Sequence, residues 1–327
     1  MSKLWQRCAA FAIAASFAAL IQTAGVQAQN YPSQPIRILV TIPPGGAPDV
    51  AARLLSDRLM KSLGQPVVVE NRSGANGTVA GDVVAKANPD GYTLILAADS
   101  LITVNPHVYD SMPFDTMKDL VPVASVASNQ FFLAVNPDLP VKTLPEFIEY
   151  ARKADKPLPY ASGGNGSQHQ LGIEMLKQAA KIDLLHVPFR GGTPAGRATV
   201  AGETKIVLAG ASSANLLQSN QLRGLATTGK NRSPAFPDLP SISEFYPDYD
   251  LTIWLGLFAP KGTPEVIQAT LRDHVHKALK EKDLAEKLNL TGKLETLILA
   301  PQEFEARIRS DYEKYGKLVR DVGIKAK

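Results

Sequence analysis

Cysteine is almost missing from this chain: 327 residues contain one, Cys8, so neither disulfides nor thiol chemistry can organise the fold. Aromatic residues are scarce at 7%, too few for a base-stacking surface, and Lys and Arg nowhere form a stripe, which argues against nucleic acid as a partner. No repeat of fixed period is visible. The long apolar run from Ala9 to Ile21 is too short and too rich in small residues to span a membrane. What remains is ordinary globular material, 45% apolar and 20% charged with a formal charge of +4. A chain of this length suggests two domains or one large one, and it buries a sizeable core without staples.

The first residues differ from the rest. Lys3 and Arg7 make a charged start, the apolar run follows, and Val26-Gln27-Ala28 offers an A-x-A-like cleavage site before Gln29. Residues 1–28 therefore read as a secretory signal peptide. Cys8 precedes the apolar run, whereas a lipid-attachment cysteine would follow it. Removal of the segment leaves a cysteine-free protein with a net charge near +2.

Ile36, Ile38, Val40 and Ile42 alternate in a buried strand that Pro43-Pro44-Gly45-Gly46 breaks. A helix follows with Pro48 in its first turn and apolar Val50, Leu54, Leu55, Leu59 and Leu63; Gly64 and Pro66 end it. Val67 to Val69, a helix running to Lys86 and Tyr92 to Ala97 complete a β-α-β-α-β series, which implies parallel pairing. A similar series starts after residue 130: strand Phe131 to Val135, helix Thr143 to Lys153, strand Tyr160 to Ser162, then a helix with Leu171, Met175 and Ala179 on one side. His186 to Phe189, Lys205 to Ala209 and Leu222 to Ala226 are further strands, and helices are expected over Pro264 to Leu288 and Pro301 to Val322. The fold class is α/β with two lobes: residues 29–130 plus 253–327 form the first and 131–252 the second. Strands near Asn129 to Val135 and Trp254 to Pro260 are the expected hinge.

Glycine-rich turns follow strands and open helices at 43–49 (PPGGAPD), 162–167 (SGGNGS) and 189–195 (FRGGTPA). Such turns bring backbone N–H groups close to a ligand, and the helix N-termini behind them favour an anion without a formal cation. In open parallel sheets ligands sit at the carboxyl ends of strands, so turns of this kind in both lobes point to a cleft between them. Asp49 belongs to the first turn of its helix, where its charge orders the loop; it repels a carboxylate ligand unless an N–H or water intervenes. Arg190 suits a bidentate carboxylate contact or is a surface residue. Ser162, Asn165 and Ser167 are candidate donors, with Ser167 equally a helix cap. His169 reads as a packing or hydrogen-bonding residue before a ligand contact.

Enzyme signatures fail. Gly224 to Lys230 matches a phosphate-loop spacing, but Asn231 replaces the required Ser or Thr and Pro234 blocks a helix. Gly210 to Ala214 lacks the second glycine of a nucleophile elbow. His274 and His276 face different directions on a helix and have no acidic partner for a metal. No catalytic group, metal or cofactor is expected.

The stretches YPSQPIRILV, PPGGAPDVAARLL, LGQPVVVENRSGANGTVAGDVVAKANPDGYTL, YASGGNGSQHQLGIEMLK, HVPFRGGTPA and WLGLFAPKGTP resemble the Bug-type solute receptors of tripartite tricarboxylate transporters. The resemblance implies a Venus-flytrap fold in the periplasm. It implies a small organic acid as ligand, whether di- or tricarboxylate or aromatic, membrane permease subunits as partners, and a soluble monomer. By the same resemblance, loops holding Pro44, Gly45, Gly46, Ala47 and Asp49, and Ala98, Asp99 and Ser100, grip one carboxylate, partly through water. Ser162, Gly164, Asn165, Gly166, Ser167 and His169, with Phe189, Arg190, Gly191 and Gly192, hold the other end. Many such receptors carry Asp where this chain has Ala209-Gly210-Ala211, and its absence at Gly210 leaves room for a bulkier or purely anionic ligand. A sensor presenting the bound acid to a signalling receptor is the alternative.

Overall fold

The computed structural model describes residues 31–210 and 213–325; the expected signal segment with Cys8, and Ala211, lie outside the described residues. Strands β1 (Ile36–Val40), β2 (Val67–Asn71) and β3 (Thr93–Ala98) alternate with helices α1 (Ala47–Leu63) and α2 (Thr78–Ala85). As the order requires, β1 pairs in parallel with both neighbours. Helix α1 starts with Pro48 and Asp49 in its first turn. It ends at Gly64, whose left-handed backbone (φ 71°) returns an N–H to the Met60 carbonyl. Its buried stripe is Ala51, Ala52, Leu55 and Leu59, one to two turns apart, packed on β1.

Short helices α3 (Asp99–Thr103) and α4 (Asn105–Val108) lead to β4 (Leu120–Gln130). The next segment comprises β5 (Phe132–Val135), α5 (Leu144–Lys153), β6 (Leu158–Ser162), α6 (Gln168–Ala180), β7 (Leu184–Pro188), α7 (Gly192–Val200), β8 (Ile206–Ala209), α8 (Ala214–Gln218) and β9 (Arg223–Thr227). The chain then runs through β10 (Thr252–Pro260), α9 (Glu265–Leu279), α10 (Lys282–Gly292), β11 (Glu295–Thr296) and α11 (Pro301–Val322). These strands make two sheets, one of six in the order β11-β4-β10-β3-β1-β2 and one of five in the order β7-β6-β8-β5-β9. The architecture is two-lobed α/β, each lobe built on one sheet.

The chain passes between sheets at one place. Strand β4 becomes β5 after the single residue Phe131, and β10 pairs antiparallel along β4. Thr228 joins these crossings: its hydroxyl accepts from Phe131 N (2.9 Å) and donates to Leu251 O (3.0 Å). Its own backbone exchanges bonds with the same two residues.

Two expectations need correction. The amphipathic run expected as a single helix over Pro264 to Leu288 is broken at Lys280–Glu281, where Glu281 is extended (φ −72°, ψ 121°). Arg58 of α1 pairs with Glu281 (2.7 Å) and with Asp283, pinning the break so that Leu284 and Leu288 turn onto the core; the apolar period continues through it and conceals it. In α6, Ala179 is exposed and the buried face runs through Leu171, Ile173, Leu176 and Ala180.

The C-terminal helix α11 packs on α3 and α4 of the first sheet's side and on α6 of the second's. Its residues Tyr315, Leu318 and Val319 share a core with Leu171 and Leu133. Buried Asp311 anchors it, accepting from Trp254 Nε1 (2.9 Å), Arg307 Nε (2.7 Å) and Lys314 Nζ (2.9 Å). Replacing it leaves the indole N–H and two cations without their acceptor. Asp311→Ala is expected to lower unfolding stability by about 2–3 kcal/mol in chemical denaturation, against less than about 0.5 kcal/mol for a surface change such as Asp321→Ala.

Candidate ligand-binding cleft

Parallel strands deliver loops at their carboxyl ends, and here such loops come from both sheets. From the first come 41–46 after β1, 72–77 after β2 and the start of α3 after β3; from the second come 163–167 after β6, 189–191 after β7 and Gly210 after β8. Three of the loops open helices of nine residues or more, α1, α6 and α7, whose first N–H groups carry partial positive charge.

The 43–49 loop is held from within. Asp49 is buried, and its carboxylate accepts from Gly45 N (2.9 Å), Arg53 Nε (3.0 Å) and Asn71 Nδ2 (2.8 Å). Burial opposes its charge, yet the bonds from Arg53, Gly45 and Asn71 prevail and hold its pKa below the usual range. This carboxylate therefore shapes the loop. Pro44 and Gly45 are exposed, while Gly46 and Ala47 are half-buried at the helix start. The 72–77 loop was not expected among the candidates. Gly74, Ala75, Asn76 and Gly77 all have positive φ, and Asn76 is tied to Asn105 of α4 (2.6 Å). Consecutive residues in that region mark a loop held in a costly shape by its surroundings.

Across from it, the loops at 163–167 and 189–192 form one unit: Phe189 N donates to Ser162 O (3.0 Å) and Gly191 N to Gly163 O (3.2 Å). Gly164 (φ 122°) and Gly191 (φ 113°) adopt backbone closed to side chains. Ser167 caps α6, accepting from Gln170 N, and its hydroxyl donates to Gly164 O (2.7 Å). Beneath lies a directed chain. Gly166 N donates to Gln170 Oε1 (2.8 Å), so the Gln170 amide nitrogen meets His186 Nδ1 (3.2 Å), and His186 Nε2–H donates to Ser162 Oγ (2.5 Å). In a nucleophilic dyad the imidazole accepts from the serine; here it donates, and Ser162 is buried.

His169 is a wedge. Its ring lies 4.5 Å from the ring of Phe131, and a Cβ on Gly192 or Gly163 would fall 2.7 or 3.0 Å from its nitrogens. Burial lowers its pKa to about 4, so the ring is neutral. Gly210 likewise packs its backbone on Phe131, where a Cβ would sit 3.2 Å from the ring. Phe189 is half-buried; Arg190 and Asn165 are exposed.

The two sides meet. Gln168 Nε2 of α6 donates to Asp99 Oδ1 of α3, and Gly166 packs on Val108 of α4. Asp99 is sealed from solvent, while Ala98 and Ser100 beside it are half-buried. Sequence reasoning did not single out Gln168, Gln170, His186 and Tyr315: the first three lie within motifs, but their roles depend on contacts that the chain's spacing does not show, such as Gln168 with Asp99 and His186 with Ser162.

Residues 51–324 match the family described as "Tripartite tricarboxylate transporter family receptor". Protein BugT of Bordetella pertussis is 33% identical over 94% of this chain and 96% of its own. Among solved structures, Rpa4515 of R. palustris with adipate superposes with TM-score 0.80 at 31% identity, over 90% of this chain and 99% of that one. MatC of Rhodopseudomonas palustris with bound malate gives 0.75 at 30%, over 88% and 100%. The periplasmic binding protein BugD gives 0.76 at 28%, over 91% and 100%.

Two acid-range outcomes follow. The His169 contribution to stability is full above the ordinary histidine pKa of about 6.5 and declines as pH falls toward about 4, since only the unfolded chain takes the proton there. His169→Phe keeps a ring on Phe131 and flattens that part of a melting-temperature profile. Asp49 contributes above its unfolded value of 3.8, and this is lost as pH falls through its lower folded value. Asp49→Asn therefore melts below wild type at neutral pH, and the gap closes in strong acid.

Proposed function

Since the chain belongs to the tripartite tricarboxylate transporter receptor family, we propose that it is a periplasmic receptor that closes on a small organic dicarboxylate and passes it to the membrane subunits of a transporter. It is a solute-binding protein and not an enzyme. The observation that carries the ligand class is the convergence of helix-opening loops from two sheets, with Asp49 turned inward onto Gly45, Arg53 and Asn71. Backbone N–H groups and helix N-termini are then what the loops offer, and these suit carboxylates. Adipate and malate in two structural neighbours support linear dicarboxylates as the first class to test.

In this reading the loops at Pro44 to Ala47 and Ala98 to Ser100 take one carboxylate, and those at Gly164 to Ser167 and Phe189 to Gly192 take the other. Arg190 is a cation positioned for the second. Residues 29–130 with 253–327 make one lobe and 131–252 the other, hinged at Phe131 and Thr228. Residues 1–28 act as the export signal, and the mature protein works as a monomer. Ligand closes the lobes because it binds the closed form more tightly.

The test is thermal melting of the mature protein with adipate, malate, aromatic acids and amino acids. At a hundredfold excess over its dissociation constant a ligand adds about 2.7 kcal/mol, which is read as a clear rise in melting temperature. A rise with the dicarboxylates and none with the matching diamines is expected; no rise with any acid refutes the carboxylate reading.

A further inference from the structure

Asp99 holds a position that a charged carboxylate cannot easily keep. It has no exposed surface, and it lies where α3, α6 and α11 meet. One oxygen is served twice, by Ser100 N (2.9 Å) and by Gln168 Nε2 from the opposite lobe. The other, Oδ2, is buried without a hydrogen-bond partner, and so is the hydroxyl of Tyr315 on α11, which feels the Asp99 charge. A buried carboxylate oxygen with no donor is a costly arrangement for an anion and an ordinary one for an acid.

The neighbours compensate that charge only weakly. On α11, Arg307 and Lys314 both bind Asp311, and Asp250 stands beside Arg307 (3.8 Å). Asp311 itself adds a like charge toward Asp99. From α4, His107 packs on Tyr312 (4.2 Å) and is kept neutral-leaning by burial. Gln168 is uncharged. Burial first, then Asp311, push the Asp99 carboxyl up to about 8; Gln168, Lys314 and Ser100 oppose this and are outweighed.

We propose that Asp99 is a proton site of the closed protein: its carboxyl takes one proton from solvent when the loops of the two lobes meet over it, so the acid cargo is captured together with a proton. The proton goes on Oδ2, leaving Oδ1 to accept from Gln168 and Ser100. In the open form the Gln168 contact is broken, water reaches the carboxyl and the proton returns to solvent. The cargo half of this inference rests on the carboxylate reading above; the proton half does not.

The experiment has two arms, both on the mature protein. Infrared spectra without ligand, and with adipate or malate, are recorded across neutral and alkaline pH for wild type and Asp99→Asn. A carboxylic-acid carbonyl band at about pH 7, absent from the variant and fading as pH rises through about 8, is expected. Absence of that band from the wild type in every condition overturns the proton site, and the wild-type titration suffices should the variant misfold. In the second arm, calorimetric titration with adipate is expected to show affinity falling by up to about tenfold per pH unit from about pH 6 to about 8 in wild type and levelling off above that, where the closed form no longer takes the proton, with a flat profile in Asp99→Asn. A flat wild-type profile overturns coupled capture. A band without binding of either acid leaves the proton site standing and removes these linear dicarboxylates as cargo.

Discussion

The crossing at Phe131 and Thr228 is the constraint on which the arrangement of this protein depends. One strand leaves the six-stranded sheet at Gln130 and enters the five-stranded sheet at Phe132 with a single residue between, and Thr228 ties Phe131 to Leu251, where the chain returns. A hydroxyl that both donates and accepts at this point fixes two crossings at once. Because each sheet must continue from these strands, the carboxyl ends of the parallel strands in both sheets are brought toward one another. The Phe131 ring, a direct extension of the crossing, then supports His169 and Gly210.

The loops that meet in this way are shaped from behind. Asp49 gathers the first loop through Gly45, Arg53 and Asn71, and the Gln170–His186–Ser162 chain gathers the second. These polar side chains are satisfied by one another and by loop N–H groups such as those of Gly45 and Gly166, which rigidifies the backbone. Helix α11 adds the third support, since Asp311 binds it to Trp254 on one side while Tyr315 and Leu318 enter the core shared with α6 on the other. Asp99 lies among these supports, its carboxyl contacted by Ser100 of its own lobe and by Gln168 of the other.

Much of this is legible in the sequence where the physics is local. Pro48 and Gly64 bracket α1, Thr143 caps α5, Ser167 caps α6, and alternation with glycine-rich turns shows parallel strands. The break between α9 and α10 is not legible, because Leu279, Leu284 and Leu288 keep a helical period while Arg58, more than two hundred residues away, sets the turn. Strand β4 was missed because Pro122, Ser125 and Ser128 interrupt its apolar pattern; β10 covers it and Ser125 bonds the Leu297 and Leu299 backbone. Asp99 belongs to a recognisable loop, but its burial is decided by Gln168 and Tyr315, which no spacing rule connects to it.

The central claim is that loops from two sheets form one cleft that closes on a dicarboxylate. Small-angle X-ray scattering of the mature protein, with and without an acid shown to bind, tests it most directly. The account predicts a fall in radius of gyration on addition of the acid, with no change when a non-binding diamine is added. An unchanged radius at saturation would contradict closure of the lobes around the ligand.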